Sequence, residues 1–300
     1  MQGGETVQMR DDTPPAFLLD KSQAPVSPLV FASPHSGRHY PAALLAASRL
    51  PLAELRRCED PHVDALVAPA ARAAGAAFLC ATHARAWLDV NRAPDELDPD
   101  MLAGPRPDVR PSRRVAQGLG VIPRDAGPAG RIYRRPLSVA EVRARLDALH
   151  QPWHAALAGA LATAHAVHGY AVLIDWHSMP PAPSPCVADL VVGDLHGRAA
   201  HPALVALLED ALRAAGFAVA RNDPYAGAWT LERHGAPAAG VHAIQIELAR
   251  TGHLDAALLE PGPGFADVAT RLARAAARLS AGLPDIAPWL APGAERWAAE

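Results

Sequence analysis

The sequence has few of the residues that mark several large classes of protein. Its 300 residues include three cysteines, Cys58, Cys80 and Cys186, which lie far apart and form no CxxC pair. This spacing argues against a disulfide framework and against a thiolate zinc knuckle. Arginine greatly outnumbers lysine, the net charge is −3, and no basic block forms a nucleic-acid footprint. We therefore expect no nucleic-acid partner.

Long apolar runs are also missing. No stretch of roughly 18 uncharged apolar residues resembles a membrane span, and the N-terminal MQGGETVQMRDDTPP has no apolar signal-peptide segment. We expect a cytoplasmic protein without a membrane partner, and the sequence leaves its oligomeric state open. No glycine-rich phosphate loop follows a predicted strand. One ratio is unusual, because 14 histidines accompany only five phenylalanines, and it directs attention to metal binding.

Half of the residues are hydrophobic, and their periodicity predicts alternating strands and helices. The predicted strands are 27–37, 76–83, 170–178, 187–197, 217–224 and 241–250, with a less regular strand at 85–92. The predicted helices are 59–76, 138–169, 201–216 and 265–283. Such alternation predicts one α/β domain with a mixed, largely parallel central sheet flanked by helices. We assign residues 16–300 to this domain and residues 1–15 to a flexible N-terminal arm.

Two features within this pattern carry specific expectations. Ser138 and Glu141 fit a capping box at the start of the helix at 138–169, and Pro152 is expected to kink or split that helix. Residues 93–131 contain many Pro, Gly and Arg residues with little periodicity. A loop of this length in a compact protein is usually functional or disordered.

Polar side chains gather where the predicted strands end, which is where open α/β sheets bind ligands. The residues at strand ends are His35, Ser36, Asp89, Asn91, Arg92, Asp175, His177, Ser178, Glu247 and Arg250, and the first helix adds Glu59, Asp60, His62 and Asp64. Each has a structural alternative. His35 fits a turn, Asp60 fits a helix N-cap, and Asp89 with Arg92 fits a surface ion pair. Glu247 interrupts an apolar strand, and a carboxylate there is costly unless it is paired.

Taken together, these residues fit a catalytic zinc centre with two imidazoles, one carboxylate and one open position. Glu247 is placed to act as the general base. Asn91 and Arg92 offer an amide and a guanidinium to a substrate carboxylate, and we group Arg250 with them as substrate-binding. Asp175 alternates with His177 along its strand, so it is expected either to support that imidazole or to stabilise the turn.

Eight motifs follow one another in an order that resembles the N-formylglutamate amidohydrolase family. They are SPHSG (33–37), EDPHVD (59–64), LDVNR (88–92), GLGVIPR (118–124), IYRRPLS (132–138), LIDWHSMP (173–180), PYAGAWTLERHGAP (224–237) and HAIQIELAR (242–250). The family is related to zinc carboxypeptidases and aspartoacylase-like deacylases. The resemblance implies their phosphorylase/hydrolase-like, zinc-carboxypeptidase-like fold with a mixed, eight-stranded sheet.

The same resemblance implies a ligand set and a reaction. His35 and His177 correspond to the first and last metal ligands, and Asp60 is our choice for the middle ligand, with Glu59 and His62 as alternatives. Zinc is the expected metal, although Co²⁺, Mn²⁺ or Fe²⁺ also suit such ligands. The implied reaction is hydrolysis of N-formyl-L-glutamate to formate and L-glutamate in histidine degradation. The alternatives are another N-acyl amino acid or short acidic peptide as substrate, or a carboxylate-binding protein without turnover.

Overall fold

The computed structural model describes residues 13–20, 27–104, 109–181 and 188–293. The strands in these ranges are β1 Phe17–Asp20, β2 Leu29–Ser33, β3 Ala77–Ala81, β4 Leu102–Ala103, β5 Leu137–Ser138, β6 Ala171–Met179, β7 Leu190–Gly193, β8 Val219–Arg221 and β9 Val241–Ala249. The α-helices are α1 Ala42–Ala47, α2 Leu52–Leu55, α3 Val63–Ala74, α4 Arg113–Ala116, α5 Val139–Arg145, α6 Gln151–His168, α7 Pro202–Ala214, α8 Trp229–His234 and α9 Phe265–Leu290. Residues 1–12 of the predicted arm lie outside the described ranges.

The central sheet is mixed, with the strand order β1-β3-β2-β6-β9-β7-β8. The four central strands β3, β2, β6 and β9 run parallel to one another, whereas β1 and β7 are antiparallel to their inner neighbours. The predicted single α/β domain with a mixed, mostly parallel sheet is therefore confirmed. Over the described ranges this sheet has seven strands, not the eight that the resemblance implied, and β4 pairs with β5 in a small separate sheet.

Helices cover both faces of the sheet. Leu29 and Phe31 of β2 point to one face, where they join a core with α3, α7 and α9. Val30 and Ala32 point to the opposite face, where Trp153 and Leu157 of α6 pack. Because both faces are buried, the central strands are nearly continuous apolar runs, and a polar side chain within them is exceptional.

The predicted strand at 85–92 is wrong. This segment forms turns instead, with the Trp87 amide bonded to the Ala84 carbonyl and the Asp89 amide bonded to the Val121 carbonyl. Its own carbonyl groups accept hydrogen bonds from side chains rather than from a neighbouring strand. Because these carbonyl groups have side-chain donors, they need no neighbouring strand to complete their hydrogen bonds.

The helix predicted at 138–169 forms with an internal irregularity. The Ser138–Glu141 capping box is present in full. A π-helical turn at Leu146–His150 separates α5 from α6, and Pro152 lies in the first turn of α6, where proline is tolerated. The predicted break is therefore real, but it is a π turn just before Pro152 and not a kink at the proline.

The helix predicted at 59–76 begins only at Val63. Residues 59–62 thus form a loop at the carboxyl end of the sheet, where the Asp60 amide donates to the His35 carbonyl. This loop brings an acidic group next to the end of β2. No helix in the described part of the chain has both the length and the apolarity to cross a membrane.

Candidate metal centre

Three side chains converge at the carboxyl ends of the parallel strands. His35 follows β2, His177 lies near the end of the adjacent β6, and Asp60 lies in the loop before α3. His35 Nδ1 lies 3.1 Å from His177 Nδ1, and Asp60 Oδ2 lies 3.3 Å and 3.0 Å from the same two nitrogens. All three residues are buried. Among the described residues, these three form a group of His and Asp side chains that lie close enough together to bind a single metal ion.

The spacing of these atoms fits a divalent metal ion. Four ligands at about 2.0–2.1 Å in a tetrahedron lie about 3.3 Å from one another. The observed separations of 3.0–3.3 Å are close to this value. Two imidazoles and one carboxylate are also the donor set of many catalytic zinc sites. His35, Asp60 and His177 can therefore hold a metal, and they are the three residues chosen as candidate ligands from the sequence.

The other ring nitrogen of each histidine meets a buried carboxylate. His35 Nε2 lies 2.7 Å from Asp89 Oδ1, and His177 Nε2 lies 3.0 Å from Asp175 Oδ2. An Nε2–H that donates to an acid leaves Nδ1 as the free lone pair, and both Nδ1 atoms then face Asp60. Three electron-rich atoms at such short range repel unless a cation or proton lies between them. The partners of the imidazoles thus prepare the position for a metal.

Asp89 is not part of the surface ion pair that the sequence allowed as an alternative. It is fully buried, and its second oxygen accepts a hydrogen bond from Arg85 Nε at 2.8 Å. Burial opposes ionisation of Asp89, but Arg85, His35 and Arg92 together hold its pKa well below the usual value. Asp89 is therefore an anion that orients His35.

The directions of the side chains distinguish Asp60 from Glu59 and His62 as the candidate middle ligand. Glu59 bonds to the Tyr40 hydroxyl, and His62 bonds to Arg38 and Glu260 near the surface. Asp60 alone of the three reaches both imidazoles, while its Oδ1 accepts a hydrogen bond from Arg250 at 3.0 Å. Burial works against the charge, but the two imidazoles hold the pKa of Asp60 well below its usual value. Asp60 does not serve as a helix N-cap, since His62 occupies that position.

Glu247 lies beside this cluster on β9. It is paired in register with His177 of β6, so the two side chains leave adjacent strands at the same level. Gln245 Nε2 donates to Glu247 Oε1 at 3.0 Å, whereas Ile244 and Ile246 point into the opposite core. Burial raises the pKa of Glu247 to about 7, with Asp60 adding to the rise and His177 opposing it. A carboxyl group with such a pKa can both accept and return a proton near neutral pH.

The cluster forms one wall of a cavity of about 690 Å³. The other walls carry guanidinium groups and the Tyr225–Ala228 loop. The residues around the cavity that carry polar side chains include Arg85, Asn91, Arg92, Arg113, Arg114, Gln117, Ser178, Gln245, Glu247 and Arg250. A space of this size suits a small substrate. The guanidinium groups that line the cavity favour a substrate that carries negative charge.

Asn91, Arg92 and Arg250 line this cavity, but much of their hydrogen-bonding capacity is used within the protein. Asn91 Oδ1 accepts from the Thr230 amide at 2.8 Å. Arg92 donates through Nε to the Leu119 carbonyl and through Nη1 to the Asn91 carbonyl. Arg250 donates to Ser178, Glu59 and Asp60. The contact of Arg250 with Asp60 indicates that it also positions a candidate ligand.

Sequence reasoning missed several of these groups. Arg85, which contacts Asp89, was not identified. It lies at the beginning of the segment 85–92, whereas most of the sequence-based candidates lie at the ends of predicted strands. Arg113 and Arg114 lay in the segment 93–131, which had no periodicity to place them. The alternation along its strand places Gln245 on the same face as Glu247, but sequence reasoning assigned Gln245 no role at the site.

Comparison with known proteins agrees with this geometry. Residues 27–254 match the sequence model of the N-formylglutamate amidohydrolase family. The chain belongs to this family. It is 30% identical over 237 residues to an N-formylglutamate deformylase of Pseudomonas aeruginosa, covering 76% of this chain and 82% of the relative. A second N-formylglutamate deformylase, from Pseudomonas putida, is 28% identical over 236 residues, with the same coverage.

Solved structures give the same relationship. A crystal structure of the N-formylglutamate amidohydrolase from Ralstonia eutropha JMP134 superposes with a TM-score of 0.83 at 36% identity. The match covers 90% of this chain and 99% of that one. A gene product of Agrobacterium tumefaciens shares the fold, with a TM-score of 0.66 at 19% identity over 91% of this chain and 96% of its own. The N-formylglutamate amidohydrolase fold therefore extends over nearly all of the chain.

Proposed function

We propose that this protein is a zinc-dependent N-formylglutamate deformylase, which hydrolyses N-formyl-L-glutamate to formate and L-glutamate. One observation carries the proposal. Two imidazole nitrogens and one carboxylate oxygen converge within 3.3 Å of one another, next to Glu247, in a cavity lined by guanidinium groups. The names of the relatives from two Pseudomonas species support this choice of substrate.

The proposed ligands are His35, Asp60 and His177. When bound, the metal lowers the pKa of a water molecule to about 7 and polarises the formyl carbonyl. Asp89 and Asp175 accept hydrogen bonds from Nε2–H of the two imidazoles, so that Nδ1 of each ring is the nitrogen that faces the metal position. Arg250 holds Asp60 in place through Oδ1. Zinc suits this ligand set, and another divalent metal is the alternative.

Glu247 performs the proton transfers. Its carboxylate takes a proton from the attacking water and returns it to the amide nitrogen as the C–N bond breaks. The proton then leaves with the amino group of glutamate, and Glu247 is ready for the next cycle. Its pKa of about 7 fits a group that must act as base and then as acid within one turnover.

Asn91, Arg92 and Arg250 are proposed to bind the substrate. The Arg92 guanidinium is almost fully buried beside the cavity, where burial and the cations of Arg85 and Arg114 lower its pKa to about 10. A substrate carboxylate would relieve this repulsion between neighbouring cations. A dicarboxylate such as N-formylglutamate fits a cavity whose lining includes several guanidinium groups.

A substrate panel tests the proposal. The purified, zinc-loaded protein is incubated with N-formyl-L-glutamate, N-acetyl-L-glutamate, N-succinyl-L-glutamate and N-formyl-L-methionine, and release of the amino acid is measured. We expect hydrolysis of N-formyl-L-glutamate with the highest kcat/KM. Faster cleavage of the acetyl or succinyl compound would assign the protein to another N-acyl amino acid, and no turnover by a zinc-loaded sample would overturn the enzymatic assignment.

Metal removal tests the cofactor. We expect the purified protein to contain about one zinc ion per chain and to lose activity after dialysis against a chelator, with recovery when Zn²⁺ is added back. The variant His177→Ala should lose zinc, whereas His165→Ala, on α6 and away from the cavity, should keep it. Full activity without any divalent metal would refute the cofactor assignment. The cytoplasmic location stays a prediction.

A further inference from the structure

Three buried histidines outside the candidate metal centre form a chain of contacts behind the cavity. His150 Nε2 lies 2.8 Å from the Arg92 carbonyl, and His154 Nε2 lies 2.9 Å from the Val90 carbonyl. His154 Nδ1 in turn lies 2.9 Å from His234 Nε2. The side chains of His150 and His154 thus bond to the two carbonyl groups on either side of Asn91. Nothing in the proposed reaction uses these imidazoles directly.

The acceptors fix which nitrogen of each ring carries the proton. A carbonyl oxygen can only accept, so His150 and His154 must each donate through Nε2–H. A neutral imidazole has one donor, and His154 Nδ1 is therefore an acceptor for the Nε2–H of His234. Within the described part of the chain, no carboxylate forms an ion pair with any of the three. Burial lowers the pKa of all three histidines, which keeps them neutral.

The backbone segment to which these histidines bond is part of no helix or strand. Residues 86–92 lie outside the sheet, and the carbonyls of Ala86, Trp87, Val90 and Arg92 are bonded instead by side chains distant in the sequence. Tyr133 bonds to the Ala86 carbonyl and Arg145 to the Trp87 carbonyl, at 2.8 Å and 3.0 Å. The two histidines continue this row toward the cavity. The end of the segment that carries Asn91 and Arg92 is thus held by imidazole–carbonyl bonds.

The π-helical turn explains how one helix supplies the whole row. Arg145 and His150 are five residues apart, which places them on different faces of a regular α-helix. The turn Leu146–His150 takes an additional residue, because its hydrogen bonds join residues five apart. Arg145, His150 and His154 therefore point to the same segment. Such turns are frequently found at functional sites.

We propose that His150, His154 and His234 are positioning residues, and that their fixed tautomers set the location of Asn91 and Arg92 for the substrate carboxylate. His154 is the central member, since its ring contacts the held backbone on one side and His234 on the other. This inference rests on the proposed role of Asn91 and Arg92 in substrate binding. We therefore expect substitution of these histidines to raise KM while the zinc content changes little.

Three variants test the proposal, each with measurements of KM, kcat, zinc content and melting temperature. His154→Phe removes both hydrogen bonds and fills the space, and we expect KM to rise by about 10- to 100-fold, since displacement of a binding group by about 1 Å is that costly. His154→Gln keeps a donor for the Val90 carbonyl, so its KM should stay within about threefold of the wild type. His165→Phe is the matched control on the same helix, because His165 Nε2 bonds to the distant Ala239 carbonyl.

A spectroscopic measurement tests the same idea without enzymatic activity. In protein labelled with ¹⁵N-histidine, His154 should give the shifts of a neutral ring protonated at Nε2 between pH 8 and pH 6. The side-chain amide resonances of Asn91 should move in His154→Phe and remain in place in His165→Phe. If the wild-type protein does not hydrolyse N-formyl-L-glutamate, the proposed function is refuted. The tautomer of His154 and the Asn91 resonances test the positioning role independently of that activity.

The outcomes that overturn the proposal are equally specific. A folded His154→Phe protein with wild-type KM and unmoved Asn91 resonances would remove His154 from the positioning role. An increase in KM that is as large in His154→Gln as in His154→Phe would show that bulk, and not the hydrogen bond, matters. If His154→Phe does not fold, His234→Phe replaces it, because it removes only the donor to His154 Nδ1. Unchanged His154 shifts in that variant would overturn the proposed chain.

Discussion

Two carboxylates next to the same imidazole have opposite pKa shifts, and their neighbours explain why. Asp60 faces His35 and His177, which hold its pKa low enough to keep it an anion. Glu247 is partly buried and receives a single hydrogen bond, from Gln245, among the described residues, and the loss of solvation raises its pKa to about 7. An anion suits a metal ligand, whereas a group that titrates near neutrality suits proton transfer. The division of roles between the two acids follows from these environments.

Substitution of Glu247 by glutamine tests its role as base. Glu247→Gln keeps the shape and the hydrogen bonds but cannot accept a proton, so we expect kcat to fall by about 10²- to 10⁴-fold with zinc content and fold preserved. Glu232→Gln, on α8, is the control and should retain normal turnover. Near-normal kcat in a zinc-loaded Glu247→Gln sample would show that Glu247 has only a structural role.

Arg92 allows a second test at this scale. Lysine keeps the charge but loses the planar group that donates to the Leu119 and Asn91 carbonyls. We expect Arg92→Lys to raise KM for N-formyl-L-glutamate by about tenfold, which corresponds to a loss of about 1.4 kcal/mol in binding. Arg221→Lys is the control, since Arg221 pairs with Glu209 away from the cavity. A lower melting temperature with unchanged KM would mean that Arg92 only stabilises the fold.

At the scale of elements, three adjacent parallel strands bring the reactive groups together. The strands β2, β6 and β9 end at the same edge of the sheet, and their ends carry or precede His35, His177 and Glu247. Strands in a sheet lie about 4.8 Å apart, so side chains at the same level of adjacent strands are immediate neighbours. The position of His35 depends further on the turn after β2, which passes close to the end of β3.

Gly37 makes this close approach possible. A methyl group at position 37 would lie 2.3 Å from the His83 carbonyl oxygen and 2.6 Å from the Thr82 carbonyl carbon. We expect Gly37→Ala to shift the turn that carries His35, to destabilise the fold by about 1–3 kcal/mol, and to weaken zinc binding. Denaturant unfolding and zinc titration measure the two effects.

Gly159 provides the matched control for this substitution. It lies within α6, and a methyl group there meets no atom within 4 Å apart from the neighbouring backbone of the helix itself. Gly159→Ala should leave zinc affinity unchanged and should stabilise the protein by about 0.5–1 kcal/mol, because alanine favours a helix interior. If Gly37→Ala has the same stability and zinc affinity as Gly159→Ala, the turn after β2 accommodates a methyl group and the predicted steric conflict is wrong.

At the scale of the whole molecule, many of the 14 histidines are part of the interior. His83, His234 and His253 are buried, and burial lowers the pKa of each to about 4. In the unfolded chain these groups titrate near pH 6.5. Above that pH the imidazoles are neutral in both states and contribute no pH dependence. Between pH 6.5 and pH 4 only the unfolded chain takes up the protons, so stability decreases as the pH falls.

This linkage predicts a measurable slope. Each of these histidines should reduce the free energy of unfolding by up to about 1.4 kcal/mol per pH unit as the pH falls from 6.5 toward 4. Urea unfolding of metal-free protein at pH 7, 6 and 5 measures the total. The variant His234→Phe removes one such group, and its slope should be shallower than that of the wild type. Identical slopes would show that His234 is not held neutral in the folded state.

The sequence alone predicted six of the seven strands of the central sheet, all except β1, together with the capping box at Ser138 and the strand ends at which His35, His177 and Glu247 lie. These features depend on local periodicity and on neighbours a few residues apart, which a sequence displays directly. The family motifs added the reaction and the expected ligands. The choice of Glu59, Asp60 or His62 as the middle ligand stayed open at that point, because adjacent side chains in a loop can point in any direction.

The hydrogen-bond partners of the polar groups between these elements depend on tertiary packing. Residues 86–92 are not a strand, because their carbonyls find partners in Tyr133, Arg145, His150 and His154, some 47 to 64 residues away in the sequence. For Asp89 the sequence left a surface ion pair with Arg92 as an alternative, and the fold instead buries this carboxylate against His35 and Arg85. A buried polar group must be paired, and which distant side chain becomes its partner depends on how the helices pack against the sheet.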